Sequence, residues 1–170
     1  MAGMMDDLVK VLDEERELYD KLAGLSEEMK QAIIVSDVPA VEKKTAEQQD
    51  VTTDIQRLDR KRSDIMRNVA VVLNKKPEEI KVSVLIETLS GQPELKAKMT
   101  KARDELVASM DRLKKINAQN QALLTQAMEL MEFDLNLYRS MKQAPETANY
   151  NRSAYNTGDI LGHGGFDATQ

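Results

Sequence analysis

The 170-residue chain has no cysteine and no tryptophan. Without cysteine there is no disulfide, no thiolate nucleophile and no thiolate metal ligand. The single histidine, His163, supplies neither a His pair for a metal nor the base of a serine triad. Aromatics are scarce, with four Tyr and two Phe, and so are helix breakers, with seven Gly and four Pro. No apolar run approaches the ~20 residues that a spanning helix needs. No positively charged start followed by an apolar run marks a secretory signal. A glycine-rich phosphate loop is missing too, because Gly162-His163-Gly164-Gly165 follows no strand and opens no helix. These absences predict a soluble, cytoplasmic chain that is not an enzyme and takes no cofactor or metal.

What is present is charge and helix-forming residues. Charged residues make up 31% of the chain, and 24 Lys plus Arg against 29 Asp plus Glu leave a net charge of −5. This mixture, rich in Glu, Lys, Leu, Ala, Met and Gln, is the composition of long helices. A first helix is predicted from about Met4 to Ile34, with Leu8, Val11, Leu12, Leu18, Tyr19, Leu22, Leu25, Met29 and Ile33 on one stripe. Ser36, Asp37 and Pro39 then signal a cap and a new first turn. The second helix is predicted over Val38 to Leu73, its buried side marked by Val41, Thr45, Gln48, Thr52, Ile55, Leu58, Met66, Val69, Val72 and Leu73. Several of these are polar, so its first half contributes less core than its second.

Asn74-Lys75-Lys76-Pro77 reads as a stop followed by a start, since Asn tolerates the left-handed position at a helix end. A short third helix is expected over Pro77 to Leu89. Ser90-Gly91-Gln92-Pro93 repeats the signal and opens a fourth helix to about Met141, ~70 Å long at 1.5 Å per residue. A helix of that length must lie against other long helices. The expected fold is all-α: an elongated antiparallel helical hairpin or bundle of three long helices plus one short connecting helix. Residues 1–141 form the helical domain. Lys142 to Gln170 hold four of the seven Gly and three of the six aromatics, Tyr150, Tyr155 and Phe166, and read as a flexible tail.

Two kinds of chemistry find little support in the residue pattern. The paired carboxylates of Asp13-Glu14-Glu15 and Glu27-Glu28 fall on faces expected to be exposed, where no cleft shifts their pKa values. Arg57, Arg60, Lys61, Arg62 and Arg67 form a basic patch, but Asp54, Asp59 and Asp64 alternate with it. The chain is net acidic and this helix has no aromatic, so a salt-bridged face explains the pattern better than nucleic-acid binding.

The informative surface is on the fourth helix. In its first half Leu95, Met99, Leu106, Met110, Leu113 and Ile116 fall within an arc of roughly 120°, with Val107 the outlier. In its second half Leu123, Leu124, Met128, Leu130, Met131, Phe133, Leu137, Tyr138 and Met141 cover roughly half the circumference or more. Either the first helix and the tail cover this wider stripe, or part of it stays free to accept an amphipathic helix from another protein. Its Met residues suit repacking against varied partners. Asn120 and Asp134 interrupt the seam and suit a role in fixing register. A structural coiled-coil scaffold that oligomerises through the same stripe is the rival reading.

Asn117-x-x-Asn120-x-x-Leu123-Leu124, followed by an apolar helix through Tyr138, resembles the C-terminal part of the FlgN-like flagellar export chaperones. The acidic first helix with Tyr19 and Leu22, the turn at Asp37 and the Gln-rich helix carrying Arg57 to Arg62 are similar as well, and so is Tyr155-Asn156-x-Gly158 in the tail. The resemblance implies a non-enzymatic cytoplasmic bacterial chaperone. It would bind C-terminal helices of hook–filament junction proteins, prevent their premature self-association and help deliver them to the flagellar type III export apparatus. Nucleic-acid binding and membrane insertion are not implied. Carried over by position, the client surface is Asn120, Leu123, Leu124, Ala127, Leu130, Met131, Leu137 and Tyr138, with Tyr155 and Gly158 in the tail. Met141 is followed closely by Pro145, which limits how far the binding helix extends.

Overall fold

The structure is a computed structural model and describes residues 2–143. Lys142 and Gln143, expected in the tail, belong to α4; the rest of the tail, with its expected flexibility and its site residues Tyr155 and Gly158, lies outside the described residues. Four α-helices and one 3₁₀ turn account for the described chain: α1 (Ala2–Ile34), α2 (Val38–Val72), the 3₁₀ turn Pro77–Glu79, α3 (Val82–Thr88) and α4 (Pro93–Gln143). The fold is all-α. The chain divides into two units, residues 1–126 and residues 127–170.

Local chemistry sets the helix ends. At the end of α1, Ser36 takes φ 56°. Its N–H bonds to the Ile33 carbonyl, and the Asp37 N–H bonds to that of Ala32. This Schellman pair satisfies carbonyls left free by the last turn. Asp37 then caps α2, its carboxylate accepting from the Ala40 N–H at 3.1 Å. Asn74, at φ 52°, ends α2 the same way, with Asn74 N–H on Val71 O and Lys75 N–H on Ala70 O. The left-handed Asn was expected from the sequence; the left-handed Ser was not.

The single helix expected over Pro77–Leu89 is two pieces. Ile80 and Lys81 are extended between the 3₁₀ turn and α3. Ile80 and Leu89 are both buried. In one continuous helix, nine steps of 100° would set them about 180° apart, on opposite faces. The extended break brings both to the same side.

Ion pairs and hydrogen bonds fix the helix directions within the first unit. Arg16 pairs with Glu105 at 3.7 Å. Asp20 accepts from Ser109, and Ser26 donates to Asn117. The partners rise together, so α1 and α4 run parallel. Between α1 and α2 they run in opposition: Glu14 with Lys61, Glu15 with Arg62, Ser26 with Gln48 and Glu28 with Lys44. The expected antiparallel hairpin is therefore α1–α2, and α4 returns alongside α1.

The core narrows along this unit. One cluster joins Met5, Leu8 and Leu12 of α1, Val69 and Ala70 of α2, Ile80, Leu85, Ile86, Leu89, and Met99, Ala102 and Leu106 of α4. A second cluster has three buried members, Ala23, Leu113 and Ile116, with half-buried Tyr19 and Leu22 packed against it. Then comes a polar layer centred on buried Ser26. Its hydroxyl donates to Asn117 Oδ1 and accepts from Gln48 Nε2, both at 2.9 Å. Asn120 Nδ2 donates to the Ser26 carbonyl at 2.8 Å. On α2, Val51 is buried where the sequence pattern missed it, and Val72 is exposed in the last turn. The Thr45 hydroxyl, expected to face the core, turns back onto the Val41 carbonyl.

Candidate partner-binding face

The carboxylate run at the start of α1 splits between environments. Glu14 is exposed, as expected, but Glu15 is 2% exposed, which corrects the reading of that run as wholly solvated. Its Oε2 lies 3.3 Å from Arg62 Nη1 of α2, without the alignment of a hydrogen bond. Burial raises the Glu15 pKa; Arg62 opposes the shift and Asp59 adds to it. Tyr19, one turn on, is raised by burial and by Glu15. Both border a cleft of about 540 Å³ with Ile55 and Met110. Glu15 faces Arg62 across the α1–α2 contact, and Thr52 lines the same cleft.

The basic patch of α2 is threaded with acids. Arg57 meets Asp54 at 3.2 Å and Arg67 meets Asp64 at 3.2 Å. Arg62 bonds Asp59 as well as facing Glu15, and Lys61 lies 3.9 Å from Glu14. Pairs three residues apart on one helix compensate charge locally, which weakens the field a phosphate backbone would meet. Among the described residues, no group of three or more His, Asp or Glu is placed to hold a metal. No described helix is long and apolar enough to cross a membrane.

The residues expected to meet a partner fall into two sets. In the first unit Asn120 is 5% exposed, and its amide is spent on the Ser26 carbonyl. It faces α1 because it falls on the side of α4 that also buries Leu106, Leu113 and Ile116. Leu123 is half-buried and Leu124 is exposed. In the second unit the described helix is residues 127–143. Ala127 is half-buried, while Leu130, Met131, Leu137 and Tyr138 are all exposed, Leu130 at 63%.

Met128, Phe133, Leu135 and Met141 are exposed on the same helix and were not among the expected site residues. All but Leu135 stood on the wide stripe read from the sequence; carrying sites over by resemblance left them out. Ile34, Val35 and Val38 form a further exposed apolar group at the α1–α2 turn. They sit at helix ends, where a periodic pattern carries little information. Lys142 stands over the Tyr138 ring, 4.7 Å from its centroid, one turn away on α4.

The surface that stands out is thus a helical one: eight large apolar side chains within one 17-residue segment, all facing solvent. A family model described as FlgN protein matches residues 1–158. The chain belongs to the FlgN family of flagellar export chaperones, proteins of flagellum biogenesis and type III export. Members bind flagellar export substrates. No curated protein and no solved structure matches the chain.

Proposed function

We propose that this chain is a cytoplasmic, non-enzymatic chaperone for hook–filament junction proteins. It binds their C-terminal amphipathic helices, prevents premature self-association and helps deliver them to the flagellar type III export apparatus. Family membership supports the export role. The observation that carries the binding reading is the exposure of Leu130, Met131, Leu137 and Tyr138 on one helix.

The mechanism is capture of a helix on an apolar face. Each large side chain fully desolvated in the contact contributes about 1.5–3 kcal/mol before ordering costs. Ala127, Leu130, Met131, Leu137 and Tyr138 are the partner-facing residues. Asn120 holds α4 to α1 through the Ser26 carbonyl.

The test is calorimetric titration of the full chain with the purified C-terminal segment of a hook–filament junction protein from the same cell. The wild-type chain binds, and Leu130→Asp loses binding at least a hundredfold while circular dichroism stays helical. Equal binding by the variant, or no binding by the wild type, refutes the reading. A stable oligomer of the chain alone, unchanged by added segment in light scattering, would favour a scaffold instead.

A further inference from the structure

One side chain on the 127–143 helix is at odds with a purely apolar contact. Asp134 is exposed, and its neighbours three and four residues to either side are Leu130, Met131, Leu137 and Tyr138. At 100° per residue the apolar side chains of this segment span an arc of roughly 220°, and Asp134 falls within about 10° of its middle. Glu129, Glu132, Asn136 and Arg139 occupy the opposite strip on the same construction. The other charge within the arc, Lys142, lies about 70° from its middle and stands over the Tyr138 ring. A helix that seats on this face therefore covers Asp134 at the centre of the contact.

A carboxylate taken out of water is costly unless a cation or a strong donor meets it. A partner whose seam is entirely leucine desolvates Asp134 and gives nothing back. A partner with a Lys or Arg in its seam replaces the lost hydration with a charge-assisted hydrogen bond. We propose that Asp134 is the specificity-determining residue of this face, and that its occupant is an amphipathic helix carrying a Lys or Arg within its apolar seam. A single polar position in a helical seam selects partner and register at the expense of raw affinity. A parallel, in-register second copy would set Asp134 against its own equivalent, like charge on like charge. The inference rests on the reading of 127–143 as a partner-binding face and adds the chemistry of the partner.

The experiment uses the full chain and three synthetic amphipathic helices with the same Leu/Ile seam, differing only at the central seam position: Lys, Leu or Glu. Wild-type protein binds the Lys peptide at least tenfold tighter than the Leu peptide, a gap of about 1.4 kcal/mol, and the Glu peptide weakest. Asp134→Leu prefers the Leu peptide, and Asp134→Lys prefers the Glu peptide. Circular dichroism of both variants matches wild type, because the position is exposed. Equal affinity of wild type for the Lys and Leu peptides, or one ranking shared by wild type and Asp134→Leu, overturns the role of Asp134 while leaving the face intact. Failure of every peptide to bind either protein overturns the face itself. Self-association that Asp134→Leu strengthens, with all peptides excluded, seats a second copy there and overturns the assignment of the occupant.

Discussion

Leu85 and Leu130 are the same residue type in opposite situations, and truncating each to alanine measures the division between core and exposed face. Leu85 is 0% exposed and sits in the cluster that joins α1, α2, α3 and α4. Removing its branched end loses the transfer free energy of the deleted carbons and leaves a cavity, together about 3 kcal/mol within the usual range of 2–5. Leu130 already shows 63% of its surface to solvent. Folding hides only about a third of it, so Leu130→Ala costs under ~0.5 kcal/mol, partly offset by the better helix propensity of Ala. The assay is urea unfolding of the full chain followed by circular dichroism at 222 nm. With a slope of about 2 kcal/mol per molar urea, Leu85→Ala lowers the midpoint by about 1.5 M and Leu130→Ala by less than ~0.3 M. Midpoint shifts of similar size would refute the argument, since they would mean that Leu130 is enclosed on folding or that Leu85 is not.

Two further predictions concern polar groups and the backbone. Glu15 has a folded-state pKa above its ordinary value, chiefly through burial, so folding favours its protonated form. That contribution is complete below the ordinary carboxylate range and is lost as pH rises through the raised value. Glu15→Gln mimics the protonated acid, so its stability relative to wild type should increase from about pH 4 towards 7 in urea titrations. A relative decrease would show that attraction to Arg62 outweighs burial. Ser36→Gly removes a Cβ from a residue at φ 56° and should raise stability by up to ~1 kcal/mol, a few degrees in Tm. Asn74→Gly, at φ 52°, should gain less because Asn adopts this conformation more readily; no gain, or a loss, at both sites would count against strain there.

Much of the fold was legible because it is local. The helix starts at Val38 and Pro93 follow from caps and prolines that act within one turn, and the observed α2 and α4 begin at those residues. The break at Ile80 was not legible, since it answers the need to bury Ile80 and Leu89 against the same neighbours, and those neighbours are distant in sequence. The stripe on α4 was legible as a widening arc. Asn120 shows where such a reading stops: on the wheel it interrupts an apolar seam, while in space it spans to a carbonyl 94 residues away.

The sequence by itself determined the helical class, the four long or short segments and the apolar excess on the last of them, because propensity, capping and period 3.6 are properties of neighbouring residues. Only the tertiary structure decided that α4 runs parallel to α1, that Glu15 and Ser26 are enclosed, and that Leu130 and its neighbours face solvent. Burial depends on which surfaces meet. A carboxylate at Glu15 and a carboxylate at Glu14 carry the same letter; Arg62 and the packing of α2 make one of them interior.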